Sequence, residues 1–229
     1  MTTTSTNPGY LAKLAKNQSQ PCIGKSCHVP RAGLDVTCAR HRNNYKRHGA
    51  VDAHSLPRKL WKLHRAKVEA LLLVNVHHLG LLEADRIVAE FMHRGANASN
   101  AFRGANEMAR LMQSGVAPRT VLVEVLALMA CLRDFPSAVP TDKATDHAIS
   151  HAVFRLAPQS VRSGWNGARV AAYRGRPRAS ALAYVGRFLR IALAEFGATV
   201  QLAIEAKARA AAMTDEDRRA ARTAPMRIA

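Results

Sequence analysis

The stretch VAPRTVLVEVLALMACLRDFP (residues 116–136) is apolar almost throughout and bracketed by prolines, and it reads as a buried helix starting near Pro118 and stopping before Pro136. A helix apolar on nearly every side needs other helices around it, and the flanking sequence supplies them. LPRKLWKLHRAKVEALLLVN (residues 56–75) sets Leu60, Leu63, Val68 and Leu71 near one face, with Pro57 suited to a first turn. Further helices are expected over about 76–93, ended by Gly95, over 99–112, ended by Gly115, and over 141–156, with Asp142 near the positive end. After Pro177 a long helical pattern fills the remainder, and Thr214 with Asp217 is placed to cap a last short helix. Between Pro158 and Pro177 the helical period lapses, and GWNGARVAAYRG is compatible with a β-hairpin turning on Asn166-Gly167. No internal repeat is present.

The segment before residue 56 cannot be built in the same way. From Cys22 to His54 it is turn-rich, basic and poor in large apolar side chains, so an ordinary core cannot hold it together. It does contain Cys22, Cys27, Cys38 and His41, spaced C-x4-C-x10-C-x2-H. Two close pairs joined by a short loop match a tetrahedral zinc site, with Gly24 and Gly33 allowing tight turns. Zn²⁺ would then supply folding free energy that apolar burial does not, and a chelator should unfold the segment. Four protein ligands close the site to water, which makes the metal structural. His28 is a rival ligand that its adjacency to Cys27 disfavours, and Cys131, alone in the apolar helix, reads as a small core hydrophobe. The expected fold is mainly α: a small irregular zinc-bound N-terminal module followed by a helical bundle. The expected divisions are a flexible basic arm (1–20), the zinc module (21–55), a helical domain (56–157) and an Arg-rich hairpin with C-terminal helices (158–229). A short helical turn or two is expected over residues 8–17.

The run of Cys22 and Cys27, Gly33-Leu34, Cys38 and His41, Tyr45, and Arg47-His48-Gly49 resembles the zinc motif that accompanies many phage and mobile-element HNH endonucleases. It departs from that pattern by three extra residues before Cys38 and three more between His41 and Tyr45. The same motif occurs in uncharacterised prophage proteins without nuclease residues. The remaining chain is more similar to those, through the order Trp165, Tyr173 and Gly186-Arg187-x-Leu189. An HNH centre would also need a base histidine on a hairpin, an orienting Asn and a metal-holding partner. The candidates are Asp52 with His54, His77 with His78, and Asp146 with His147 and His151, none of them in a strand-turn-helix setting. His147 and His151, one turn apart, either pair on a metal or occupy a solvent-facing helix side.

Charge points to the partner. The 229 residues hold 34 Lys and Arg against 16 Asp and Glu, a formal charge of +18, and such a field attracts polyanions before any specific contact forms. One basic surface is expected over residues 31–67, from Arg31, Arg40, Arg42, Lys46, Arg47, Arg58, Lys59, Lys62, Arg65 and Lys67. A second lies between Asp146 and Glu195, where no acidic residue occurs and Arg155, Arg162, Arg169, Arg174, Arg176, Arg178, Arg187 and Arg190 do. The candidate phosphate contacts are Arg40, Arg42, Lys46, Arg47 and His48, then Arg58, Lys59 and Lys62, then Arg162, Arg169, Arg174, Arg176 and Arg178. Asn43 and Asn44 are candidates for base edges, and Trp165 and Tyr173 for base stacking or for anchoring the hairpin.

The sequence contains no membrane-length apolar run, signal peptide, Walker loop or dinucleotide fingerprint. Clustered cysteines suit a reducing compartment, here a bacterial cytoplasm. The expectation is a zinc-containing nucleic-acid-binding protein of a phage, plasmid or other mobile element, with DNA ahead of RNA as ligand. It would act as a non-enzymatic subunit beside other proteins, a CRISPR-type effector subunit being one member of that class. The alternatives are an HNH-type endonuclease and a structural or regulatory factor that binds protein.

Overall fold

The computed structural model describes residues 7–97, 103–157, 161–163, 169–171 and 179–212. Among them, helices dominate: α1 (Pro8–Gln18), α2 (Ala39–His48), α3 (Lys62–Val74), α4 (Leu79–Asn97), α5 (Arg103–Gln113), α6 (Pro118–Asp134), α7 (Asp142–Phe154), α8 (Ala179–Ala192) and α9 (Ala194–Ala212). Two three-residue strands, β1 (Val161–Ser163) and β2 (Arg169–Ala171), pair antiparallel with Ser163 opposite Arg169, in a register centred on residue 166. The expected hairpin is therefore present, while its turn, Asn166-Gly167, lies outside the described residues, as do Thr214 and Asp217. No helix among the described residues is long and apolar enough to cross a membrane.

Helix α6 is the axis of the bundle. From Val121 to Leu128 every side chain is buried, because α3, α4, α7 and α9 pack around it. Its start at Pro118 and its stop before Pro136 follow the proline rules. Gly115 takes a left-handed φ of 81° after α5, and Val116 N–H bonds back to the Leu111 carbonyl, so the expected stop is a glycine C-cap. Thr141 caps α7 by accepting the Ala144 N–H.

Three sequence expectations shift. In α3 the inward residues are Trp61, Val68 and Leu72, whereas Leu63 points to solvent, 74% exposed. The register is set by Trp61, whose buried indole N–H donates to the equally buried Glu124 Oε1 at 2.8 Å. Helix α4 starts at Leu79, because residues 75–78 form a turn and the His78 ring accepts the Gly80 N–H; it then runs through Gly95, which costs it only about 1 kcal/mol. The long C-terminal pattern breaks at Leu193, so that α8 packs on α7 and α5 while α9 turns to α3 and α6.

Close approach fixes the α7–α8 crossing. A Cβ on Gly186 would lie 1.7 Å from the Asp146 carbonyl oxygen, and Ser150 Oγ donates to the Leu182 carbonyl at 2.6 Å beside it. Gly186 and Leu189, which is fully buried, thus belong to the core contact. Gly186→Ala should separate these helices and lower stability by more than the roughly 1–3 kcal/mol typical of overpacking; denaturant melts of the purified variant check this.

Candidate metal centre and nucleic-acid interface

The candidate metal ligands are brought together by a loop and the start of one helix. Cys22 and Cys27 lie on a tight loop tied by the Cys22 N–H to the Val29 carbonyl and the Cys27 N–H to the Gly24 carbonyl, with Ser26 in a left-handed φ of 56°. Cys38 is the N-cap residue of α2 and His41 lies in its first turn. The donor atoms of Cys22, Cys27, Cys38 and His41 all fall within 4.8 Å of one another, a group that can hold a metal ion. The gaps are 3.1 Å from Cys22 Sγ to His41 Nδ1, 3.5 Å from Cys38 Sγ to His41 Nδ1, and 4.0 Å between Cys27 and Cys38 Sγ. Tetrahedral bonds of about 2.3 Å to sulfur and 2.0 Å to nitrogen put ligand atoms roughly 3.5–3.8 Å apart, so one ion fits with small adjustments.

Electrostatics agree with the geometry. Burial pushes the Cys22 thiol up, but N–H groups of Cys38 and Gly24 and the His41 ring outweigh it and bring it down to about 6. At Cys27 the Val29 N–H favours the thiolate, yet burial and the neighbouring Cys38 and Cys22 sulfurs push the thiol up overall. Several sulfurs compete for negative charge at one point, and a cation among them removes the conflict.

Two residues around the ligands have functions that spacing does not reveal. Gly24 has no left-handed φ; its place is set by the His41 ring, whose Cε1 and Nδ1 would each lie 2.4 Å from an added Cβ. Asp52, one of the nuclease candidates, faces His41 Nε2 at 3.8 Å and accepts the Lys25 N–H at 3.0 Å, a carboxylate behind a candidate ligand histidine. Gly33, in contrast, does take the left-handed turn, with φ 62°. Helix α1 joins the module through Asn17, whose amide donates to the carbonyls of Gly33 and Asp35.

The C-terminal end of α2 docks on α7. His147 Nδ1 and His151 Nε2 both donate to the Arg47 carbonyl, at 3.0 and 2.8 Å, satisfying a terminal helix acceptor twice. Gly49 follows with φ 78°, and a Cβ there would lie 2.5 Å from the Lys143 carbonyl oxygen. Lys143 Nζ reaches the Tyr45 hydroxyl at 2.8 Å and lies 4.2 Å from that ring's centre. Arg155 closes the seam on Ser55 Oγ and the Leu56 carbonyl. His147 and His151 are therefore neither a metal pair nor a solvent-facing side: His147 is 1% exposed, with its Nε2 buried and unbonded.

The other nuclease candidates are equally committed or separate. Asp146 pairs with Arg190 at 2.6 Å, the pair His77 and His78 sits at the α3–α4 turn, and the hairpin segment 158–178 contains no histidine. Among the described residues the Cys3His group is the one cluster of metal-ligating side chains. Cys131 is a buried core residue whose thiol is pushed up by burial and by Asp134.

The basic residues divide into paired and unpaired. Arg31 is tied to Asn17, Gln20 and the Pro21 carbonyl, and Arg42 to Asp35 at 2.9 Å; Arg58 and Arg65 approach Glu124, and Arg190 lies between Asp142 and Asp146. The acid-poor interval between Asp146 and Glu195 is thus not acid-free in space, because α7 places two carboxylates against α8. Arg162 and Arg169 stand on β1 and β2 with side chains outside the described residues; Arg174, Arg176, Arg178, Trp165 and Tyr173 lie outside them altogether. By contrast, Arg40, Asn43, Lys46 and Arg47 are exposed on α2 and their side chains form no hydrogen bond or ion pair with described residues. At 100° per residue these four occupy one arc of about 120°, while His41, Asn44 and His48 lie on the opposite, half-buried side and Tyr45 stays exposed beside Lys143. Asn44 and His48 are half-buried, so of the sequence candidates on α2 those two and Arg42 are the less accessible.

No protein-family model matches the chain, and neither the curated proteins nor the solved structures yield a match.

Two outcomes follow from this geometry. The purified protein should bind one divalent ion per chain, and chelation should remove helical signal equivalent to α2 while the bundle still melts cooperatively; metal analysis with circular dichroism reads both. Burial also holds the His147 ring below its ordinary value, outweighing the Arg47 carbonyl bond, so the unfolded chain takes up the proton first as pH falls. Stability carried by neutral His147 is complete above about pH 6.5 and declines below it, toward the depressed folded value. His147→Asn, which keeps an N–H donor but no titration, should show a shallower loss of denaturant stability from pH 7.5 to 5.5 than the wild type.

Proposed function

We propose that this chain is a zinc-containing nucleic-acid-binding protein that uses α2 to contact duplex DNA. The observation that carries this reading is the unpaired arc of Arg40, Asn43, Lys46 and Arg47 on a helix whose N-cap and first turn supply Cys38 and His41 and one of whose terminal carbonyls, that of Arg47, is clamped by α7. Zinc is the ion because three thiolates and one imidazole at tetrahedral spacing suit it, and a closed four-ligand site makes its role structural. The ten-residue helix, about 15 Å long, has no acidic residue and is of a size that enters a major groove about 12 Å wide. Arg40, Lys46 and Arg47 would hold phosphates while Asn43, inside the arc, reaches base edges. The +18 charge supplies attraction at a distance.

The resemblance of the cysteine-histidine run to the motif of mobile elements supports an origin in a phage, plasmid or genomic island. The commitment of Asp52, Asp146, His147 and His151 to structural contacts favours a subunit that holds nucleic acid for other proteins over one that cuts it.

Duplex binding should weaken steeply between 50 and 200 mM salt, and the triple variant Arg40→Ala, Lys46→Ala, Arg47→Ala should lower the slope of log K against log salt by about 2–3. Truncating Arg47 leaves its carbonyl in place, so docking of the module survives. Salt-independent binding, or a triple variant that binds as the wild type does, rules out α2 as the contact.

A further inference from the structure

A second basic site lies on the bundle itself, where the turn Arg58–Leu60 meets the start of α3. An open concavity of about 530 Å³ is lined by Arg58, Lys59, Lys62 and Arg65, with Trp61 and Ala66 as apolar wall and Glu69 at one edge. That volume falls within the roughly 300–1,000 Å³ of ordinary ligand sites. The lining carries four cations against one carboxylate, and Glu69 is bound to Arg65 Nε at 2.9 Å. Lys59 and Lys62 are exposed and have no partner among the described residues.

Beneath the concavity lies Glu124, an acidic residue 1% exposed in the centre of α6. Burying a carboxylate is costly unless it is matched, and three groups around this site match it. Trp61 Nε1–H donates to Oε1 at 2.8 Å, Arg65 Nη1 lies 3.3 Å from Oε2, and Arg58 Nε lies 4.0 Å from Oε1. The Arg65 approach is within ion-pair range but is not aligned as a hydrogen bond, leaving Oε2 without one. Only one edge of each guanidinium is drawn inward by Glu124. A guanidinium has five N–H donors in a planar fork, so donors remain for a ligand.

We infer that Arg58, Lys59, Lys62 and Arg65 form a phosphate-binding cradle, with Glu124 as the positioning residue that holds Arg58 and Arg65 in it. Lys59 and Lys62 add charge without fixed geometry, while the two arginines add directed bonds. The phosphate group has two possible sources, a nucleic-acid backbone or a free polyphosphate. The first rests on the DNA-binding reading above and would make the cradle a second backbone contact beside α2; the second does not depend on it.

Trp61 provides the reporter, because its indole N–H is bonded to Glu124. In ¹⁵N-labelled full-length protein its indole cross-peak, distinguished from that of Trp165 with the variant Trp165→Phe, is followed during titration with pyrophosphate and, separately, with a short DNA duplex. The cross-peak should shift in at least one titration, and Lys59→Ala with Lys62→Ala should weaken that binding at least tenfold; with duplex it should also lower the salt slope by about 2. Both lysines are exposed, so this variant keeps its fold. Glu124→Gln should weaken binding as well, and if that variant does not fold, the lysine pair decides alone. A shift with duplex only identifies a phosphodiester, and a shift with pyrophosphate only identifies a free phosphate. A Trp61 cross-peak unmoved by either ligand, or a lysine-pair variant that binds as the wild type does, overturns the cradle. A duplex that fails to bind wild type while pyrophosphate shifts Trp61 removes the DNA reading and leaves the cradle standing. Duplex binding that is lost in the α2 triple variant and unchanged in the lysine-pair variant leaves the DNA-binding reading in place and removes the cradle from it.

Discussion

The docking of the N-terminal module on the bundle depends on one backbone acceptor, the Arg47 carbonyl, and the two histidines of α7 that converge on it. A helix end is a natural place for such a joint, because its last carbonyls have no partner inside the helix. His147 donates from a buried ring and His151 from a more accessible one, and Gly49 then turns the chain where no side chain would fit. Cys38 and His41 place the other end of α2 in the Cys3His group that can hold a metal ion. A basic helix with little apolar surface of its own is thus fixed by polar contacts, and its outward arc meets no partner among the described residues.

Cations serve opposite purposes in different parts of this molecule. Arg42, Arg155 and Arg190 are held by acidic or carbonyl groups of the chain, and Arg190 in particular compensates the nearly buried Asp146. An exposed ion pair such as Arg42–Asp35 contributes little to stability, but it does neutralise a charge that composition counts as available. The formal +18 therefore overstates what a ligand meets. Glu124 shows the converse: an acidic side chain in the middle of an otherwise apolar helix, tolerated because Trp61 and two arginines surround it. Its burial explains both the inward turn of Trp61 and the outward turn of Leu63, which the apolar spacing of α3 did not reveal.

Much of the fold was legible in the residues. The prolines around α6 and Gly115 after α5 act locally, through fixed φ and a left-handed turn, so their effects can be read without knowing what lies nearby. The ligand set was legible for the same reason: short spacings bring each pair of ligands together whatever the body of the protein does. The start of α4, the break at Leu193 and the inward face of α3 were not, because packing partners distant in sequence decide them.

The sequence by itself determined a helical protein with a cysteine-histidine module of metal-binding spacing and a large excess of positive charge. Only the tertiary structure decided that Asp52 stands behind His41, that His147 and His151 serve as a clamp, that Gly24 and Gly186 are demanded by close neighbours, and which basic side chains remain unpaired. The physical reason is common to the first three: each depends on an approach between groups that the chain separates by 11 to 104 residues, and local propensity carries no information about such contacts.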